Sequence, residues 1–130
     1  MGDPFRILLV EDEPVIREFV RTLLGDADVE VACAANGAEG LKLARSERFD
    51  LILLDVVLPQ LDGVTVCRML KSDPSTASVP LHMLTAKTKK ADVETAMRAG
   101  ADGYIQKPFR GAELMDLVDL LKAKRGPPPG

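Results

Sequence analysis

The stretch Leu51-Ile52-Leu53-Leu54-Asp55-Val56-Val57-Leu58-Pro59-Gln60-Leu61-Asp62-Gly63 decides the fold. Its first four residues form the most apolar run in the chain, which marks the central strand of a parallel sheet covered on both faces. The run stops at an acid, and the turn-rich segment from Pro59 to Gly63 leads into a helix carrying Val66, Cys67, Met69 and Leu70. Asp73-Pro74-Ser75 closes that helix, because the residue before a proline is pushed out of helical backbone.

The same unit recurs on either side of this stretch. Toward the N-terminus, Arg6-Ile7-Leu8-Leu9-Val10 is a second nearly continuous apolar strand. Pro14 then stands where helices begin, Val15, Ile16, Phe19, Val20, Leu23 and Leu24 follow at helical spacing, and Gly25 ends the run. Val29 to Ala34 is a strand. Asn36-Gly37 opens a helix with Leu41 and Ala44 turned inward, weakened by Gly40 in its interior. Toward the C-terminus, Leu81-His82-Met83-Leu84 precedes a helix from about Thr88 to Ala99, stopped by Gly100 and expected to pack weakly through Val93 and Met97. A short strand Gly103-Tyr104-Ile105 comes next. The final helix carries Leu114, Leu117, Val118 and Leu121 on one stripe, widened by Met115 and Leu120. Five strand–helix units of this kind predict an α/β domain with a five-stranded parallel sheet, doubly wound as (βα)5, with right-handed crossovers.

Length and composition fit one compact domain of 130 residues with a net charge of −3. Residues 1–4 read as an N-terminal extension, 5–124 as the domain and 125–130 as a disordered Pro/Gly tail. The small basic clusters, Lys87, Lys89 and Lys90, then Lys122, Lys124 and Arg125, read as solvated helix ends. This charge balance gives no reason to expect direct nucleic-acid contact. With no basic n-region and no long apolar segment, neither a signal peptide nor a membrane contact is expected, and a cytoplasmic location follows. Cys33 and Cys67 lie in apolar segments and read as buried, reduced thiols.

In open parallel sheets, ligands bind beyond the carboxyl ends of the strands. The residues expected there are Glu11-Asp12-Glu13, Asp55, Thr85-Ala86 and Lys107-Pro108. Each alone has a plain structural role as a helix cap, a dipole partner or a surface charge. Four of five strand ends carrying such groups on one edge is far less expected by chance. Clustered carboxylates are most easily kept ionised together by a cation, and oxygen ligands of this hardness suit Mg²⁺. An aspartate beside that ion can attack phosphorus and form an acyl phosphate, whose charge needs an ammonium, a hydroxyl and a backbone N–H.

Four motifs in order carry a resemblance: Ile7 to Glu13, Asp55 with the loop Leu58 to Gly63, Leu84-Thr85-Ala86, and Gly100 to Phe109. The chain resembles the bacterial two-component response regulator receiver domain over about residues 5 to 124, a flavodoxin-like fold. Within that family it resembles the chemotaxis-type, stand-alone regulators, and equally Gly126-Pro127-Pro128-Pro129 reads as the start of a linker to a further domain. The resemblance implies that Asp55 accepts a phosphoryl group from a histidine kinase or phosphotransfer protein. Glu11, Asp12, Asp55 and the backbone carbonyl of Val57 would hold Mg²⁺, while Thr85, the N–H of Ala86 and Lys107 would bind the phosphoryl oxygens. It also implies a cis bond before Pro108 and a Thr85–Tyr104 switch pair. That pair would reshape the face made by the fourth helix, fifth strand and fifth helix, to control a partner protein or a phosphorylation-dependent homodimer. The domain would be no enzyme in the usual sense, beyond catalysing its own phosphotransfer and dephosphorylation. Val57 and Lys87 occupy positions that set phosphate lifetime in the family. Gly103 stands where winged-helix transcription regulators often carry an acid.

Other readings fit less well. A phosphatase of the haloacid dehalogenase class needs a second acid two residues after the nucleophile, where this chain has Val57. A flavodoxin-like electron carrier needs a phosphate-cradling loop after the first strand, where Glu11-Asp12-Glu13 would repel the cofactor. A phosphorylation-independent binding module would keep the fold, but no residue of the site is missing. Lone His82 reads as a core residue rather than a phosphate carrier.

Overall fold

The computed structural model of the chain describes residues 3–26, 28–86 and 88–125. Five strands, β1 (Phe5–Val10), β2 (Val29–Ala34), β3 (Leu51–Asp55), β4 (Leu81–Ala86) and β5 (Gly103–Lys107), alternate with five helices. These are α1 (Pro14–Leu24), α2 (Gly37–Ser46), α3 (Gly63–Ser72), α4 (Lys90–Arg98) and α5 (Gly111–Arg125). The sheet runs in the order β2-β1-β3-β4-β5, with every pairing parallel. The expected doubly wound architecture is therefore the one observed. The apolar run at Leu51 is central, and all five residues of β3 are buried.

Successive strand side chains point to opposite faces, so each strand feeds two cores. Leu8, Val10, Ile52, Leu54, Leu81 and Met83 pack against Leu41 and Ala44 of α2, Val66, Cys67 and Leu70 of α3, and Ala96 of α4. Ile7, Leu9, Leu51, Leu53, Leu84 and Ile105 pack against Val20 and Leu24 of α1, and Leu114 and Val118 of α5. Burial on both faces is why the strands read as unbroken apolar runs rather than as alternating ones.

The helix ends follow local chemistry. Asn36 caps α2 by accepting the Glu39 N–H at 2.8 Å, and Asp62 caps α3 by accepting the Thr65 N–H at 3.0 Å. Gly100 ends α4 at φ +115, with its N–H on Met97 O and the Ala101 N–H on Ala96 O. That pair of hydrogen bonds closes the helix through a left-handed backbone conformation that glycine adopts without strain. Gly25 ends α1 in extended backbone instead, so its conformational freedom is not used there.

The helices differ from expectation in detail. α4 is shorter than predicted and buries Val93 and Ala96, while Met97 is 40% exposed. Small Ala96 lets α4 approach α3, and Cys67 Sγ donates to its carbonyl. On α5, Met115 and Leu120 are exposed and do not widen the buried stripe. Arg125, assigned to the tail by composition, is the last residue of α5. Its guanidinium bonds Asp50 and the carbonyls of Asp3 and Pro4, and lies over the Phe5 ring. Residues 126–130 lie outside the described residues.

Close approach to a strand side chain constrains Gly40 and Gly103. A Cβ on Gly40 would lie 2.7 Å from Val10 Cγ2, so the residue that costs α2 helix propensity also lets it sit on β1. A Cβ on Gly103 would lie 2.8 Å from the His82 ring, so a larger residue there would have to displace that ring. His82 is partly buried, and that burial pushes its imidazole below the usual value. Among the described residues, Cys33 and Cys67 are both free thiols; Cys67 is buried as expected, whereas Cys33 is only partly buried.

Two predictions follow from this packing. A Cβ at Gly63 would fall 1.9 Å from the Asp55 carbonyl, a backbone atom that cannot step aside, whereas at Gly111 it meets only the movable Leu23 side chain at 3.1 Å. Gly63→Ala is expected to destabilise by about 1–3 kcal/mol in urea titration and Gly111→Ala by clearly less; equal midpoints would refute the close-approach account. Because the His82 pKa is lowered from 6.5, the unfolded chain takes up its proton first as pH falls. Its contribution to stability is complete above pH 6.5 and is lost below it. His82→Gln is expected to flatten the acid limb of a stability–pH profile, and an unchanged limb would refute that.

Candidate functional site

The site is assembled by strand register. In the β1–β3 pairing Val10 lies beside Leu54, so the next residues, Glu11 and Asp55, emerge together at the carboxyl ends of adjacent strands. Between these strands the chain order reverses, since β1 leads to β2 on one side and the chain then crosses to β3 on the other. That reversal is where open parallel sheets bind ligands.

Lys107 arrives from the edge strand. Its stem passes the end of β4, and Nζ lies 2.5 Å from Glu11 Oε1 and 2.7 Å from Asp55 Oδ2. The other Asp55 oxygen, Oδ1, accepts the Val57 N–H at 3.0 Å. Asp55 is thus oriented through both oxygens, while its own backbone is locked between β4 and the start of α3.

Glu11 is fully buried, at 0% exposure, and its Oε2 has no hydrogen-bond partner. Burial, and then the neighbouring Asp55 carboxylate, push its carboxyl up to about 8, against the pull of Lys107. For Lys107, burial works against the charge, but the bonds to Asp55 and Glu11 outweigh it and hold the ammonium above its ordinary pKa. One ammonium does not balance the acids gathered here. Glu11, Asp12 and Asp55 each offer a carboxylate oxygen, all within 4.8 Å of one another, with Asp12 exposed. An orphaned buried oxygen in an all-carboxylate set fits a hard divalent cation such as Mg²⁺.

The remaining predicted residues surround this centre. Thr85 is buried one residue past Leu84, the register partner of Asp55, and its hydroxyl donates to the Ala86 carbonyl at 3.1 Å. Ala86 is exposed at the end of β4, opposite Lys107. The Val57 side chain is exposed beside the site, and the Lys107–Pro108 bond is cis. Tyr104 is not in the cluster. It sits on β5 with 55% exposure, at the rim of a cleft of about 400 Å³ lined by Thr85, Ala86, Val93, Met97 and Gln106. Lys87 lies outside the described residues. Sequence reasoning missed Arg17, whose Nη1 donates to the Glu11 carbonyl at 2.8 Å. A basic residue in the first turn of α1, where acids are favoured, was the signal available.

Comparison with known proteins agrees with this arrangement. Residues 7–119 match the family model described as the response regulator receiver domain. The DNA-binding response regulator MtrA of Mycolicibacterium smegmatis is 41% identical over 113 residues, covering 87% of this chain and 48% of that protein. The transcriptional regulatory protein CseB of Streptomyces coelicolor is 42% identical over 126 residues, covering 97% of this chain and 53% of that protein. The chain therefore spans about half the length of these curated relatives. Among solved structures, the receiver domain of a sensor histidine kinase from Pseudomonas aeruginosa superposes with a TM-score of 0.83 at 33% identity. The alignment covers 95% of this chain and 99% of that one, which holds a magnesium ion coordinated in its active-site cleft.

One expectation is overturned. Net charge argued against nucleic acid as a direct partner, yet the relatives are named as DNA-binding and transcriptional regulators. Net charge describes only the residues counted, and about half of each relative lies outside the matched segment. The family model, the identities and the converging acids agree: the chain belongs to the response regulator receiver domain family and is a phosphoacceptor of two-component signalling.

Proposed function

We propose that Asp55 is the phosphorylated residue, with Mg²⁺ held by Glu11, Asp12, Asp55 and the Val57 carbonyl. The observation that carries this reading is the buried, partnerless Oε2 of Glu11 beside an Asp55 whose two oxygens are held by Lys107 and the Val57 N–H. A bound cation would offset the carboxylate charge and supply a hard Lewis acid for phosphoryl oxygens. An Asp55 oxygen attacks phosphorus as the bond to the donor nitrogen of a histidine kinase or phosphotransfer protein breaks, leaving an acyl phosphate on Asp55. Lys107 moves from the carboxylate to a phosphoryl oxygen, and the Ala86 N–H binds another. Hydrolysis of the acyl phosphate at the same site returns the resting state.

The switch reading rests on two features. The Thr85 hydroxyl is held by nothing stronger than the Ala86 carbonyl, so it can turn toward a new anion. The exposed Tyr104 ring stands at the rim of a cleft beside Thr85 and can turn into it. α4 lines that cleft, and the pair it buries, Val93 and Ala96, is smaller than the Val–Leu pairs buried by α1 and α5, which makes its position less costly to change than theirs. The relatives' names favour an output at DNA over the stand-alone, chemotaxis-type reading. Among the described residues, no helix is long and apolar enough to cross a membrane. Membership of the receiver family supports a cytoplasmic location.

Intact mass after incubation with acetyl phosphate tests the acceptor. One Mg²⁺-dependent phosphoryl adduct is expected on the wild type and none on Asp55→Asn; an adduct on the variant would assign the acceptor elsewhere. The switch has a built-in reporter, because Tyr104 is the only tyrosine and the chain has no tryptophan. Its fluorescence is expected to change on phosphorylation of the wild type and to stay unchanged in Lys107→Ala under conditions where that variant carries the adduct. Equal changes in both would remove Lys107 from the coupling.

A further inference from the structure

The geometry points to Arg17 as a positioning residue for the cation site, acting on the acids through the main chain. This rests on the reading of Glu11 and Asp12 as cation ligands. The loop that carries them joins β1 to α1, and α1 begins without the usual anchor: its N-cap, Glu13, makes no side-chain bond, and no acid lies in the first turn. α2 and α3, by contrast, start at the capping side chains of Asn36 and Asp62. At α1 the fixing contact comes from Arg17, whose Nη1 donates to the Glu11 carbonyl at 2.8 Å.

The bond governs two ligands at once. Glu11 is held by its N–H on Ala34 O at 3.0 Å, by its carboxylate on Lys107, and by its carbonyl on Arg17. A peptide unit is planar, so fixing the Glu11 carbonyl also fixes the amide and Cα of Asp12. Asp12 is exposed and has no burial to orient it, so this plane is what aims its carboxylate toward Glu11 and Asp55. The role is separable from charge. A guanidinium beside a cation site repels the cation, so as a bare charge Arg17 weakens binding, whereas as a tether it strengthens it. The two roles predict opposite signs.

The test compares Mg²⁺ affinity by titration calorimetry in wild type, Arg17→Met, Arg17→Lys and Arg21→Met, well below the unfolding temperature. Arg21→Met removes a positive charge one turn further along α1, and its expected Mg²⁺ affinity is that of the wild type or slightly higher. Arg17→Met is expected to weaken Mg²⁺ about tenfold, the low end of the range for residues that orient metal ligands. Arg17→Lys, which keeps one donor, is expected to restore part of the loss. Faster amide exchange at Asp12 and Glu13 in Arg17→Met, with the urea midpoint in chelator held, would separate loosening of this loop from general destabilisation. Unchanged or tighter binding by Arg17→Met would overturn the inference, as would a loss matched by Arg21→Met. A wild type that binds no Mg²⁺ would instead overturn the ligand assignment beneath it.

Discussion

The parallel pairing of β1 with β3 holds this molecule's chemistry together. Val10 beside Leu54 puts Glu11 beside Asp55, two carboxyls that would separate if free to do so. Both strands are buried on both faces, so the pair cannot move apart without opening two cores at once. The sheet spends packing energy to hold like charges close, and the cost shows in Glu11, which burial and its neighbour push up to about 8. Removing buried charges from water is not repaid by a single ion pair. A cluster of acids around one lysine is therefore a site prepared for added positive charge rather than a device for stability.

The two ends of the sheet divide the work. At the amino end of the strands, Arg125 links the end of α5 to Asp50, Asp3 and Pro4, and Arg6 bonds Glu47 and the Arg48 carbonyl. Lys71 donates to Ala77 O, Val79 O and Asp102, tying the end of α3 to the segment before β4 and the start of β5. At the carboxyl end lie the acids and Lys107 of the site, and α4 rests on two modest side chains, Val93 and Ala96.

Several features were legible before any fold was known. Strand and helix order follow from the spacing of apolar residues, and the acids, Thr85 and Lys107 stand at strand ends in any such arrangement. Details that depend on one element meeting another were not. Met97 has the spacing of an inward residue, but α4 turns the smaller Ala96 to the sheet because α3 lies close. Gly40 looks like a flaw in α2 until Val10 is placed beneath it. The inference from net charge failed for a different reason, since charge over 130 residues says nothing about relatives about twice as long.

The sequence by itself determined the five strand–helix units, the central place of Leu51–Asp55 and the list of groups at the strand ends, because local periodicity and burial preference are written in residue order. Tertiary structure alone decided that the Lys107 ammonium crosses the end of β4 to reach Asp55 and Glu11, that Glu11 Oε2 is left without a partner, and that Arg17 holds the Glu11 carbonyl. Each of these depends on the relative placement of segments far apart in the chain or on side-chain direction at a turn. Strand register and crossover handedness set those placements, and no local pattern encodes them.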